Sequence, residues 1–216
     1  MEFSNDRSSK FVALGGTFES LQTSGDRTYR WPHLWLVPHE SVIPAGTPIH
    51  IPSGVEDVVA APELTAVIGE ELHDATEDEA WRGIKGFTVS NDVSALGEWP
   101  GHPDPNRETT SGIMHKLFPT FAPLLHEMTP RDDIDDPADL AVSLRIDGES
   151  VVSASTAGLA FSIPELVAYA SRIVHLRPND VIALGEPAGD MVYLDGADSV
   201  TCRIESVGEL SNPIAG

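Results

Sequence analysis

Two carboxylates, Glu63 and Asp92, lie at the edges of apolar runs that read as buried strands. Glu63 opens Leu64-Thr65-Ala66-Val67-Ile68-Gly69, and Asp92 closes Gly86-Phe87-Thr88-Val89-Ser90-Asn91. A carboxylate taken out of water at a strand mouth costs free energy unless it is paired, hydrogen-bonded or coordinated. Two accounts fit: ordinary solvent exposure at the strand ends, or hard oxygen donors converging on a cation. Between the runs, Thr76 and Glu79 have the spacing of a capping box, in which each partner satisfies one orphan backbone donor at a helix start. The stretch 60–95 therefore reads strand, helix, strand.

The elements around this stretch are mostly extended. Residues 1–10 are polar and read as a loose terminus, followed by a short strand at Phe11-Val12-Ala13-Leu14 that ends in Gly15-Gly16. Thr17 to Arg30 lacks periodicity and reads as a surface loop or short helix. Pro38, Pro44, Pro48 and Pro52 punctuate the next segment, which leaves extended edge pieces joined by turns. Gly97 to Gly112 is rich in Pro, Gly, Asp and Asn and reads as an active-site loop, with His102 within it and His115 just after it, whose spacing matches no common metal motif. Asp132 to Pro137 is an acidic turn.

Leu140, Val142, Leu144 and Ile146 alternate with other residues up to Asp147-Gly148, which signals a two-residue hairpin turn. Ser162 and Glu165 form a second capping box ahead of an apolar helical stripe from Leu166 to Val174. Val181 to Leu184 and Ser199 to Ile204 read as strands, with Gly185 to Gly189 as a tight turn between them. The lone Cys202 sits in the second of these as a small core residue.

Charge is the most unusual bulk property. Thirty-four acidic residues against thirteen basic ones give a formal net charge of −21, and Lys10, Lys85 and Lys116 are the only lysines. So anionic a surface repels phosphate backbones, which argues against a nucleic-acid partner, and its self-repulsion fits a chain that works at high ionic strength. No apolar run approaches a membrane span and the amino terminus lacks the layout of a signal peptide, so the expectation is a soluble, cytoplasmic protein.

The order of the pieces is more specific than any one of them. Glu63-Leu64, Val67-Ile68-Gly69, Gly86-Phe87-Thr88-Val89, Asn91-Asp92-Val93-Ser94-Ala95, Lys116, Asp147-Gly148-Glu149, Phe161-Ser162-Ile163, Leu176 to Ile182, Gly185-Glu186-Pro187-Ala188-Gly189 and Ile204 to Leu210 run in sequence. Over about residues 11–213 this order resembles the fumarylacetoacetate hydrolase family. The resemblance implies a mostly β (α+β) fold, a mixed β-roll of packed sheets with a few short helices. It also implies one domain over 11–216, with 11–52 as a lid or edge segment and 53–213 as the catalytic roll, and a homodimer.

For the site, the resemblance implies a Mg2+, Mn2+ or Ca2+ ion held by three carboxylates, which grips the two oxygens of a 2-oxo or β-diketo acid. Glu63 and Asp92 match two of the ligands, whereas the first glutamate falls on Ala61. Lys116 matches a lysine used beside the metal, and Thr156 a substrate-side threonine. Glu186 stands where the family carries a hydroxyl. It could restore the third ligand, pair with Lys116, or face solvent.

Other family positions fall on Leu96, Trp99 and Val37, and the hydrolytic lid histidine falls near Leu21. The pattern therefore implies a metal-assisted hydrolase, decarboxylase or keto-enol tautomerase of a small 2-oxo acid. Tautomerisation tolerates a lost hydrolytic lid best, because it needs only a proton shuttle and an enolate stabiliser. The alternatives are a catalytically impaired binding or structural subunit, and an activity on an uncharged or cationic substrate motivated by Glu186.

Overall fold

A computed structural model describes residues 1–3, 9–19, 31–97, 113–187 and 191–216. Its spine is a long antiparallel hairpin of β5 (Val58–Ile68) and β6 (Ile84–Ala95), connected through helix α1 (Glu77–Gly83). The remaining strands are β1 (Phe11–Gly15), β2 (His33–Val37), β3 (Val42–Ile43), β4 (Ile49–His50), β7 (Ala122–Pro123), β8 (Thr129–Pro130), β9 (Ala141–Ile146), β10 (Glu149–Ser155), β11 (Val181–Ala183), β12 (Val192–Tyr193), β13 (Ser199–Ile204) and β14 (Gly208–Ala215). Helix α2 spans Ile163–Ile173. Among the described residues the architecture is thus mostly strand with two α-helices, as expected from the sequence.

The strands form a seven-stranded sheet in the order β2-β1-β11-β5-β6-β8, with β12 also pairing with β5. A five-stranded sheet runs β10-β9-β13-β14-β4, and a small sheet joins β3 to β7. One face of the β5–β6 hairpin, through Leu64, Ala66, Phe87, Val89 and Val93, enters the main core with Val142, Leu144, Val200, Cys202 and Leu210 of the five-stranded sheet. Cys202 is fully buried there, and that burial pushes its thiol pKa up. A second apolar cluster, including Phe11, Trp35, Val67, Leu124 and Ala183, lies on the opposite face.

Local chemistry sets the element ends. In both capping boxes the predicted reciprocal bonds are made: Glu79 N–H donates to Thr76 Oγ1 at 3.3 Å and Thr76 N–H to Glu79 Oε2 at 2.9 Å, and the Ser162–Glu165 pair repeats the pattern. Asp147 and Gly148 both take positive φ, 50° and 84°, which is the geometry a two-residue hairpin turn requires.

Several expectations are corrected. Glu63 and Asp92 do not stand at strand mouths but well inside β5 and β6. Pro62 lies within β5 opposite Asn91, and the Asn91 side chain accepts the Ala61 N–H at 3.1 Å. Residues 1–3 are not loose: Glu2 bridges to Glu127 and Phe3 is buried in the second apolar cluster. Strands β12 and β14 were absent from the sequence reading, the latter masked by Pro213, which is tolerated opposite Ser199. No helix of the described residues is long and apolar enough to cross a membrane.

Candidate metal centre and active site

Strand periodicity builds the floor of the site. Because side chains alternate, the register that sends Leu64, Ala66, Val89 and Val93 into the core turns Glu63, Thr65, Thr88, Ser90, Asp92 and Ser94 to the other face. Glu63 lies across the ladder from Ser90, and Ala61 across from Asp92. The Thr65 and Ser90 hydroxyls share a hydrogen bond of 2.7 Å, and the Thr88 hydroxyl lies 2.7 Å from the carbonyls of both Leu125 and Glu127. Buried hydroxyls are thus satisfied, leaving the two carboxylates as the charged groups of this face.

Glu186 arrives from a different element. After β11, Leu184 N–H donates to Leu64 O at 2.9 Å, and Gly185 N–H donates to Glu63 Oε2 at 3.2 Å. Gly185 has φ of +98°, and a Cβ there would fall 1.9 Å from Thr17 Oγ1, so both backbone shape and space demand glycine. The turn delivers the next residue to the cluster: one donor oxygen each from Glu63, Asp92 and Glu186 lies within 4.8 Å of the others. Glu186, half-buried, therefore does not face open solvent.

Lys116, at the end of the short 3-10 helix Met114–Lys116, donates to Asp92 Oδ2 and, at 2.8 Å, to Ser94 Oγ. Its ammonium lies 5.4 Å from the centre of the Trp35 ring. Phe11, Ala13, Trp35, Val37, Phe121 and Ala183 wall the cavity with apolar surface.

Three carboxylates against one ammonium leave two negative charges uncompensated in a site where Glu63 is 1% exposed. Burial pushes the Glu63 carboxyl well above its ordinary value, and repulsion from Asp92 and Glu186 adds to this, while Lys116 and the Gly185 N–H oppose it. Glu186 is likewise raised by burial, against the pull of Lys116 and with the push of Asp92. Burial disfavours the Lys116 ammonium, but the surrounding carboxylates outweigh it and raise its pKa, so it stays charged at neutral pH. The donor set fits a divalent cation on two counts: all its atoms are hard oxygens, and a charge of two would neutralise the cluster.

Of the residues singled out from sequence, Glu63, Asp92, Glu186 and Lys116 come together. Thr156 does not join them. Its buried hydroxyl accepts the Leu140 N–H at 2.8 Å and donates to Pro137 O at 3.0 Å, so it holds the start of β9 and borders a separate groove with Trp81 and Phe161. Leu21, Trp99 and His102 lie outside the described residues. Ser94 and Trp35, which hold and cover Lys116, were missed; the period-two series Thr88, Ser90, Asp92, Ser94 was the available signal for the first.

Residues 13–215 match the sequence profile of the family described as fumarylacetoacetate (FAA) hydrolase C-terminal. The chain is similar to an oxaloacetate tautomerase, the mitochondrial fahd2 protein of Xenopus laevis, with 33% identity over 81% of this chain, which spans 55% of that relative's length. It is 29% identical to the corresponding mitochondrial tautomerase of Rattus norvegicus over 96% of this chain and 67% of that protein. Among solved structures, a 5-carboxymethyl-2-hydroxymuconate delta-isomerase from Mycobacterium smegmatis superposes with a TM-score of 0.81 at 30% identity, covering 96% of this chain and 78% of that one.

Proposed function

Since the chain belongs to the fumarylacetoacetate hydrolase family, we propose that it is a divalent-metal-assisted enzyme of small 2-oxo acids, acting foremost as a keto-enol tautomerase on an oxaloacetate-like substrate. The observation that carries this reading is the convergence of Glu63, Asp92 and Glu186 beside Lys116. Those three carboxylates would hold Mg2+ first, with Mn2+ and Ca2+ as the other cations their oxygen donors accept. When bound, such an ion lowers the cost of forming an enolate by drawing charge from the substrate's oxygens.

Lys116 supports the same chemistry from the protein side. An ammonium that stays charged is a poor base but a fixed positive group beside the developing oxyanion. Ser94 and the Trp35 face keep it in place, and the apolar wall of Phe11, Ala13, Val37 and Phe121 excludes water around it.

The test is the ultraviolet decay of enol-oxaloacetate with and without Mg2+ or Mn2+, for the wild type and for Asp92→Asn. Metal-dependent acceleration that disappears in the variant supports the reading, and metal-independent or unchanged rates defeat it. A second reading rests on the direct Lys116–Asp92 bond: an internal ammonium in place of the ion would leave a binding subunit without turnover. Absence of divalent binding at millimolar concentration would establish that reading. Assembly as a homodimer, proposed from the resemblance alone, is checked by sedimentation.

A further inference from the structure

A second cluster of ligating side chains lies away from the carboxylate centre, where the segment after β5 meets the end of α2. Leu72 and Leu176 form an isolated antiparallel bridge, exchanging N–H to O bonds of 3.0 and 2.9 Å, and both leucines are buried. Asp74 N–H to Ser171 O at 3.1 Å and Ala75 N–H to Ser171 Oγ at 3.0 Å fasten the same segment to α2. Residues flanking a doubly bonded antiparallel pair face each other closely on one side. Those residues are His73 and His175, with Glu71 two positions before His73 on the same side.

The spacing of the two rings matches a metal clip. The two imidazole rings are 5.2 Å apart between centres, tilted at 53°. Two histidines on one tetrahedral ion, each with a metal–nitrogen bond of about 2.0–2.1 Å, place their ring centres about 5 Å apart. Glu71 Oε1 lies 2.6 Å from His175 Nε2, a hydrogen-bond contact shorter than the roughly 3.3 Å between two donors on one tetrahedral ion, so a carboxylate stands next to the imidazole and an ion would replace this contact. His175 and Glu71 side chains are 42% and 66% exposed, which leaves the site open to ions from solution.

Among the described residues, the cluster at Glu63 is the one whose three donor atoms all stand within 4.8 Å. At the surface cluster a side-chain rotation, open to exposed groups, completes the set around a scaffold that four hydrogen bonds already fix.

We infer that His73, His175 and Glu71 form a second metal site, selective for a borderline transition ion such as Zn2+, Ni2+ or Cu2+. Nitrogen donors separate it from the all-oxygen centre, which prefers hard cations. Binding joins two chain segments that are distant in sequence, so the ion acts as a clip that stabilises the fold by mass action.

The experiment uses the whole chain, stripped with EDTA and then held in excess Mg2+ so that the oxygen centre is filled. Calorimetric titration with Zn2+ is expected to show one site of micromolar affinity, weakened about tenfold or more by His73→Ala or His175→Ala and lost in the double variant. Zinc at about a hundredfold above its Kd is expected to raise Tm by about 5–10 °C in the wild type only. Cu2+ bound there is expected to give nitrogen hyperfine structure in its electron paramagnetic resonance spectrum.

Glu63→Gln, which alters the oxygen centre, is expected to leave this zinc isotherm unchanged. An isotherm identical in the wild type and the double histidine variant, zinc binding that vanishes in Glu63→Gln, or no zinc binding below millimolar concentration would overturn the assignment. Since it does not depend on turnover, the assignment stands or falls separately from the proposed activity.

Discussion

Replacing Glu186 with Gln should move stability in opposite directions with and without a divalent ion. Donor oxygens of the three carboxylates stand within 4.8 Å of one another, and two unit charges at that distance repel by about 3.5 kcal/mol at an effective dielectric of about 20. For Glu186 burial is the first cause that disfavours its charge, and the pull of Lys116 is larger than the push of Asp92, so what Gln relieves is chiefly the cost of burying a carboxylate. The partial exposure of Glu186 limits this cost to about 1–2 kcal/mol.

In EDTA, Glu186→Gln should therefore be more stable than the wild type, with Tm higher by about 2–8 °C for a chain of this length. In excess Mg2+ or Mn2+ the order should reverse, because the variant keeps the side-chain shape but exchanges an anionic carboxylate for a neutral amide with one oxygen, and its Kd for the ion should rise well over tenfold. Differential scanning fluorimetry under the two conditions, with calorimetric titration, reads both effects. A variant that is less stable than the wild type in EDTA would refute the argument. It would show that Glu186 exists chiefly to pair with Lys116, and that breaking this pair costs more than the charge burial it relieves.

Further outcomes follow from the same charges and from one structural pair. Glu63 and Glu186 have folded pKa values raised above 4.5 by burial first, so between that value and their folded pKa the native state holds more protons than the unfolded chain. Metal-free stability should then fall as pH rises through this interval, and chemical denaturation across a pH series should show the slope flattened in Glu63→Gln. Lys116→Met should lower the kcat of the proposed tautomerase activity by about 100-fold or more while tightening divalent binding, since the ammonium both stabilises charge and competes for Asp92. Steady-state rates and titration separate the two effects. Asp180→Ala should cost about 3–5 kcal/mol in urea denaturation, because buried Asp180 accepts the Lys10 and Arg177 N–H groups at 2.6 and 2.8 Å and pairs with the Lys10 ammonium.

The sequence was most legible where local chemistry decides structure. Thr76 with Glu79, Ser162 with Glu165, and Asp147-Gly148 each carry a signal within four residues, and each forms the expected cap or turn. Signals weaken where a proline interrupts a strand: Pro62 and Pro213 both lie within paired strands, where pairing in the sheet absorbs them. At the site, Glu63 and Asp92 were visible as carboxylates beside apolar runs, yet that they share one face depends on register across the β5–β6 ladder, which no single strand encodes. Thr156 carried the right residue type for a substrate contact, but its hydroxyl is committed to two backbone groups. Trp35 gave no signal at all, since its contact with Lys116 joins residues eighty-one positions apart.

The donor set is anchored unequally, and this shapes how the centre can change. Glu63 and Asp92 are rungs of an eleven- and a twelve-residue strand whose reverse side is the main core, so neither can move without melting the sheet. Their neighbouring amides should be among the slowest in the molecule to exchange with deuterium. Glu186 sits instead on a turn after β11, held among the described residues by the Leu184 and Gly185 N–H groups, where a new side chain can be tried without disturbing the ladder. On the proposed reading, in which Glu186 serves as third ligand while Ala61 stands where the resemblance expects a glutamate, the rigid half of such a centre could lose a ligand and the pliable half supply another.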